Sequence, residues 1–124
     1  MEVLGLNPNQ FLMPDNYLMR SGERGTFLSF AVKGVFEVWA TGPDLRDHLV
    51  REIKEGEYCG EVSLVYNVRR TASVRAITYC NVGNLSKADF DRIIRPNSEI
   101  LDLIKESITN YNDPWRTYVI VSFT

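Results

Sequence analysis

Histidine is nearly missing from this sequence: His48 stands alone among 124 residues. Without a second imidazole, neither a His-rich zinc site nor a Ser–His–Asp triad has the groups it needs. Cysteine is almost as scarce. The two thiols, Cys59 and Cys80, lack C-x-x-C spacing and lie in apolar, strand-like surroundings. That pattern predicts buried free thiols in a reducing compartment. Charge of one sign is lacking too, since fourteen basic against sixteen acidic residues leave a formal net charge of −2. A general nucleic-acid binder needs a basic face that displaces counterions, so no nucleic-acid partner is expected. No apolar run approaches the roughly 20 residues of a membrane span. The opening "MEVLGLNPNQ" carries neither the basic segment nor the apolar core of a secretory signal. These absences lead us to expect a soluble, cytoplasmic chain that does not itself insert into a membrane, with no metal, no cofactor and no catalytic residues.

What is present is ordinary globular composition, 44% hydrophobic and 24% charged residues, in a length that suits one domain. Turn signals recur through the first two-thirds at "NPN", "PDN", "SGERG", "KG", "TGPD" and "KEGE". The apolar stretches between them predict strands over 10–13, 16–19, 26–32, 35–40, 48–53, 72–77 and 80–85. This spacing predicts an antiparallel sandwich or barrel rather than βαβ units. The pattern then changes. Ser86 followed by Asp89 reads as a helix N-cap with an acidic third position, and Phe90, Ile93 and Ile94 would form the apolar face of a short helix that Pro96 stops. A second helix begins near Asn97 or Ser98, its apolar positions Ile100, Leu101, Ile104 and Ile108 recurring at the helical period. Pro114 ends it, and "WRTYVIVSFT" reads as a further strand or a segment awaiting a partner. The expected fold is mainly β with C-terminal helices, in one domain. Its β portion runs over about 10–85, its helices over about 86–110 and its tail over 111–124.

One stretch departs from strand patterning: "GEVSLVYNVRRTASV", residues 60–74. Gly60 permits close backbone approach, and residues 61–64 can form a single helical turn whose first N–H groups attract an anion. Arg70, returning on the next strand, can offer the same anion a bidentate fork that lysine cannot. Glu61 would be repelled by a phosphate and would instead accept hydrogen bonds from hydroxyls. Phosphate and vicinal hydroxyl on one small ligand mean a nucleotide. The plainer alternative is a surface Glu–Arg pair beside a turn.

The stretch closely resembles the phosphate-binding cassette of cyclic nucleotide-binding domains, in which Gly-Glu, two small or apolar residues and a leucine precede Arg, Ser/Thr and Ala. Within that family it is most similar to the hyperpolarisation-activated and cyclic nucleotide-gated channel branch, which shares Arg-Arg-Thr-Ala-Ser-Val-Arg-Ala. The resemblance continues through "ITYCNVGNLSKADFDRII" and upstream through "MPDNYLMRSGERGTFLSFAVKGVFEV", with glycines at 22, 25 and 34. It implies an antiparallel β-roll, jelly-roll-like, with a short phosphate-binding helix and a helical lid. It further implies that Arg70 pairs with the cyclic phosphate, helped by the Val62 and Ser63 N–H groups and the Ser63 hydroxyl. Glu61 would hold the ribose 2′-hydroxyl, Gly60 would let the sugar lie close, and Thr71 would bear on guanine recognition. Val38, Ile53 and Val74 would wall the base. Arg69 is expected to be a solvated charge. Cys59 stands where the family carries an aromatic residue, and the lid positions fall near Tyr111 and Trp115, where Asn112-Asp113-Pro114 interrupts the helix.

The function so implied is a regulatory module that binds cAMP or cGMP, linked to transmembrane channel domains or other subunits. Its compartment would be the cytoplasmic side of a membrane. The alternatives are a domain of the same fold that serves only for docking, or a module like the regulatory subunit of a cyclic nucleotide-dependent kinase.

Overall fold

The structure is a computed structural model that describes residues 7–109. The chain runs β1 (Asn7–Leu12), β2 (Tyr17–Met19), β3 (Phe27–Lys33), β4 (Phe36–Thr41), β5 (Asp47–Ile53), β6 (Tyr58–Cys59), α1 (Glu61–Tyr66), β7 (Ser73–Ala76), β8 (Cys80–Ser86), α2 (Lys87–Asp89) and α3 (Ser98–Thr109). Two four-stranded antiparallel sheets form, ordered β1-β8-β3-β6 and β2-β7-β4-β5. The expected tail strand, and the lid positions Tyr111 and Trp115, lie outside the described residues.

Alternation builds the second sheet. Phe36, Val38 and Ala40 of β4 point inward, as do Val74 and Ala76 of β7, because successive side chains of a strand leave opposite faces. Val38 pairs with Val74, and Phe36 with Ala76. On the other flank β5 breaks its own alternation. Val38 stands opposite Arg51 and Trp39 opposite Leu49, so Val50 is the extra residue of a β-bulge. That bulge turns the Arg51 side chain to the inner face beside Val38.

Two departures from the sequence reading have simple causes. β1 begins at Asn7 and includes Pro8, which a strand tolerates only at an edge, where β1 lies. β6, between the "KEGE" turn and Gly60, is two residues long and shows no period. It exists because Ser29 and Phe30 of β3 pair with it.

The helical flank matches its signals. The Ser86 hydroxyl accepts the Asp89 N–H at 3.1 Å, as an N-cap should. The chain then widens into a π-helical turn, Phe90–Ile94, whose closing bond runs from Arg95 N to Phe90 O at 3.1 Å. Arg95 donates to the Leu64 and Val65 carbonyls at the end of α1 and pairs with Asp91 at 3.0 Å. A cation there satisfies carbonyls that a helix end leaves open. In α3, Ile108 is buried while Leu101 and Ile104 pack partly against α1 and the π turn; Ile100 faces outward. The inter-sheet core and this helix-side core are separate clusters. α1 carries the helix-side core on its apolar residues Val62, Leu64 and Val65.

Candidate ligand cleft

Gly60 opens the site. It adopts φ 89° in the left-handed region, which glycine alone visits freely. A side chain there would meet Arg70 Nη1 at 2.8 Å and Met19 Cε at 3.0 Å. The chain turns at this point from β6 into α1, whose first turn carries Glu61, Val62 and Ser63 into a cleft of about 340 Å³ including its mouth. Val38, Arg51 and Val74, neighbours across the second sheet, form the opposite wall, and Arg70 and Thr71 close one side. Gly25 lies so close behind Ser63 that a β-carbon would stand 2.1 Å from its hydroxyl oxygen.

Arg70 is 4% exposed. Its Nη1 donates to Gly60 O and to Ser63 Oγ, each at 2.8 Å, and Nη2 donates to Phe27 O at 2.6 Å. The guanidinium also lies 4.8 Å from the Phe27 ring centroid. All these partners are neutral, and among the described residues no carboxylate comes within ion-pair distance of it. Desolvation therefore pulls the Arg70 pKa down, opposed by the fields of Cys59, Glu61 and Glu23. A fixed, buried cation without a counter-ion is a site for an anion.

Glu61 is 1% exposed. Its Oε1 faces Arg51 Nη2 at 3.7 Å, whereas Oε2 is buried and accepts no hydrogen bond among the described residues. An ionised carboxylate has only acceptor sites, so Oε2 calls for a donor such as a hydroxyl. Anion site and hydroxyl acceptor share one cleft.

Of the residues singled out in the sequence, Gly60, Glu61, Val62, Ser63, Arg70, Thr71, Val38 and Val74 all line this cleft. Ile53 does not. It is 0% exposed and pairs with Phe36, also 0% exposed, one layer deeper in the core. Arg51, two positions earlier on the same inner face of β5, lines the cleft where the resemblance implied Ile53. Arg69 is exposed and donates to Gly22 O at 3.1 Å. Met19, Arg51 and Ala72 line the cleft without having been singled out. For Arg51 the available signal was its place two positions before the apolar Ile53, on the same strand face. Among the described residues, no group of three or more His, Cys, Asp or Glu side chains could hold a metal. No helix among them is long and apolar enough to cross a membrane.

Cys59, also in the cleft wall, is buried. Burial first, then the Glu61 carboxylate, push its thiol from 9.0 up to about 12, against the fields of Arg51 and Arg70. The folded state thus holds this proton more tightly than the unfolded chain does. Its contribution to stability is full below about pH 9 and is lost as pH rises toward 12. Urea denaturation at stepped alkaline pH will show wild type losing stability more steeply than Cys59→Ala; equal slopes would contradict the burial of this thiol.

Four comparisons bear on this geometry. The family model of the cyclic nucleotide-binding domain matches residues 9–97. The Mus musculus potassium/sodium hyperpolarization-activated cyclic nucleotide-gated channel 2 is 34% identical over 85 residues, covering 68% of this chain and 9% of the channel. The regulatory subunit of a cAMP-independent protein kinase A from Trypanosoma brucei superposes with a TM-score of 0.80 at 24% identity, over 96% of this chain and 41% of that one. The regulatory domain of Toxoplasma gondii protein kinase A, crystallised with cAMP, gives 0.76 at 25% identity, over 83% and 39%. The shared architecture is the β-roll: two antiparallel sheets with a few helices.

Proposed function

The chain belongs to the cyclic nucleotide-binding domain family, and we propose that it binds cAMP or cGMP in the cleft and acts as the regulatory module of an ion channel or similar membrane transport protein. Arg70, the Val62 and Ser63 N–H groups and the Ser63 hydroxyl hold the cyclic phosphate. Glu61 accepts the ribose 2′-hydroxyl, Gly60 admits the sugar, and Val38 and Val74 wall the base beside Thr71. The activity is binding, with no reaction catalysed. One observation carries this reading: a buried guanidinium held only by neutral acceptors and a buried carboxylate with an unpartnered oxygen face the same cleft. A phosphate ester with a neighbouring hydroxyl satisfies both.

Binding is transmitted through α1, which lines the cleft on one side and packs in the same cluster as Leu101, Ile104 and Ile108 of α3 on the other. A ligand shifts that helix only by the difference between its affinities for the two arrangements. The channel assignment is supported by the curated channel relatives; the regulatory domain of a cAMP-bound kinase among the structural neighbours supports a kinase as the alternative effector. Calorimetric titration of the 124-residue chain with each nucleotide tests the core of the proposal. Saturable one-to-one binding of at least one is expected. No heat from either at millimolar concentration would leave a docking domain of the same fold.

A further inference from the structure

Glu61 is presented to the cleft by α1, but its charge is answered from elsewhere. The titratable and charged groups facing it are Arg51 from β5, Arg70 from the segment after α1 and the Cys59 thiol from β6. Arg70 directs three of its five N–H donors to Gly60 O, Ser63 Oγ and Phe27 O rather than to Glu61, and the thiol is neutral. Arg51, with a side chain 20% exposed, is the cation that the structure sets against the carboxylate, at 3.7 Å on Oε1. The contact is one-sided. Oε2, on which the ligand hydroxyl would act, has no hydrogen-bond partner among the described residues.

We infer that Arg51 is a positioning residue of the ligand site: its guanidinium holds the buried Glu61 carboxylate turned so that Oε2 faces the ligand's 2′-hydroxyl. This inference rests on the binding reading above and names a residue that acts through Glu61 rather than on the ligand. Its origin is the pairing of β5 with β4: with Val50 bulged out, Val38 meets Arg51 and Phe36 meets Ile53, so Arg51 and Ile53 share the inner face. An arginine is suited to the place because its charge persists when partly desolvated and its planar fork meets a carboxylate in a fixed orientation.

The consequence is specific: whatever affinity Arg51 contributes passes through one hydroxyl of the ligand. In titrations of the full chain with cAMP, cGMP and their 2′-deoxy analogues, Arg51→Met lowers affinity for the ribose ligands about tenfold or more. The same substitution changes affinity for the 2′-deoxy ligands less than about twofold, and Arg51→Lys restores part of the ribose preference. Equal losses for ribose and deoxyribose ligands would overturn the inference, since a side chain that packs the wall or touches the base gives that result. Should Arg51→Met fail to fold, Glu61→Gln and the double variant Arg51→Met/Glu61→Gln carry the same test without a buried unpaired charge. The double variant is expected to bind as Glu61→Gln alone does; a further loss in it would overturn the inference. Absence of binding by wild type would instead strike the functional proposal itself, so the two failures are distinguishable.

Discussion

Arg70→Ala abolishes useful affinity for cAMP and cGMP. Removing one partner of a buried, hydrogen-bonded charge pair costs roughly 2–5 kcal/mol of binding, and each 1.4 kcal/mol or so is tenfold. The expected loss is therefore from about thirtyfold to more than a thousandfold. The structure adds a consequence for stability. Gly60 O, Ser63 Oγ and Phe27 O each lose the donor they now share with this one side chain, and unsatisfied buried acceptors cost about 1–3 kcal/mol. Against that, the variant no longer buries a charge that desolvation already disfavours. The net fall in stability is thus expected to be smaller than the fall in affinity. Calorimetry and thermal melts on the same preparations separate the two. Unchanged affinity in a folded variant would show that the guanidinium does not hold the ligand. Arg70→Lys is expected to bind poorly as well, because a single ammonium cannot serve three fixed acceptors and an anion together.

The largest effect on folding is expected from Phe36→Ala. Phe36 is 0% exposed, in register with Ile53 on one side and Ala76 on the other, both also 0% exposed. These three form the layer beneath the cleft. Truncating a buried phenylalanine costs roughly 3–5 kcal/mol through lost transfer energy and the cavity left behind. Small domains have only about 5–15 kcal/mol in all, so the variant should be close to unfolded at physiological temperature. Urea denaturation should show a lower midpoint at nearly unchanged slope. A loss under about 1 kcal/mol would mean that the layer can collapse onto the gap, contrary to the packing described. Because Val38 and Val74, not Phe36, line the cleft, the folded fraction should keep most of whatever affinity the wild type has.

The α1 side of the cleft was legible in residues 60–74 because its geometry is local. Gly60, the α1 turn and Arg70 lie within eleven consecutive positions, and φ 89° at Gly60 is a property that only its residue type predicts. The N-cap at Ser86 was legible for the same reason: donor and acceptor are three residues apart. The far wall was read less well. Val38, Ile53 and Val74 all came from the family resemblance. Val38 and Val74 line the cleft, whereas Ile53 lies a layer deeper and Arg51, two positions before it on the same strand face, takes its place in the wall. The insertion at Val50 depends on how β5 pairs with β4, and pairing is a relation between segments. β6 was overlooked on the same ground, since two residues become a strand only when β3 supplies the acceptors and donors.

By itself the sequence determined the class of fold, the cradle for an anion and the carboxylate that accompanies it, since these rest on short-range patterns of glycine, charge and apolar spacing. Only the tertiary structure decided what surrounds them. It put Arg51 against Glu61, left Oε2 open, gave Arg70 three neutral partners and sank Ile53 beneath the site. These outcomes follow from strand register and close packing, which bring residues seven to forty-three positions apart into contact.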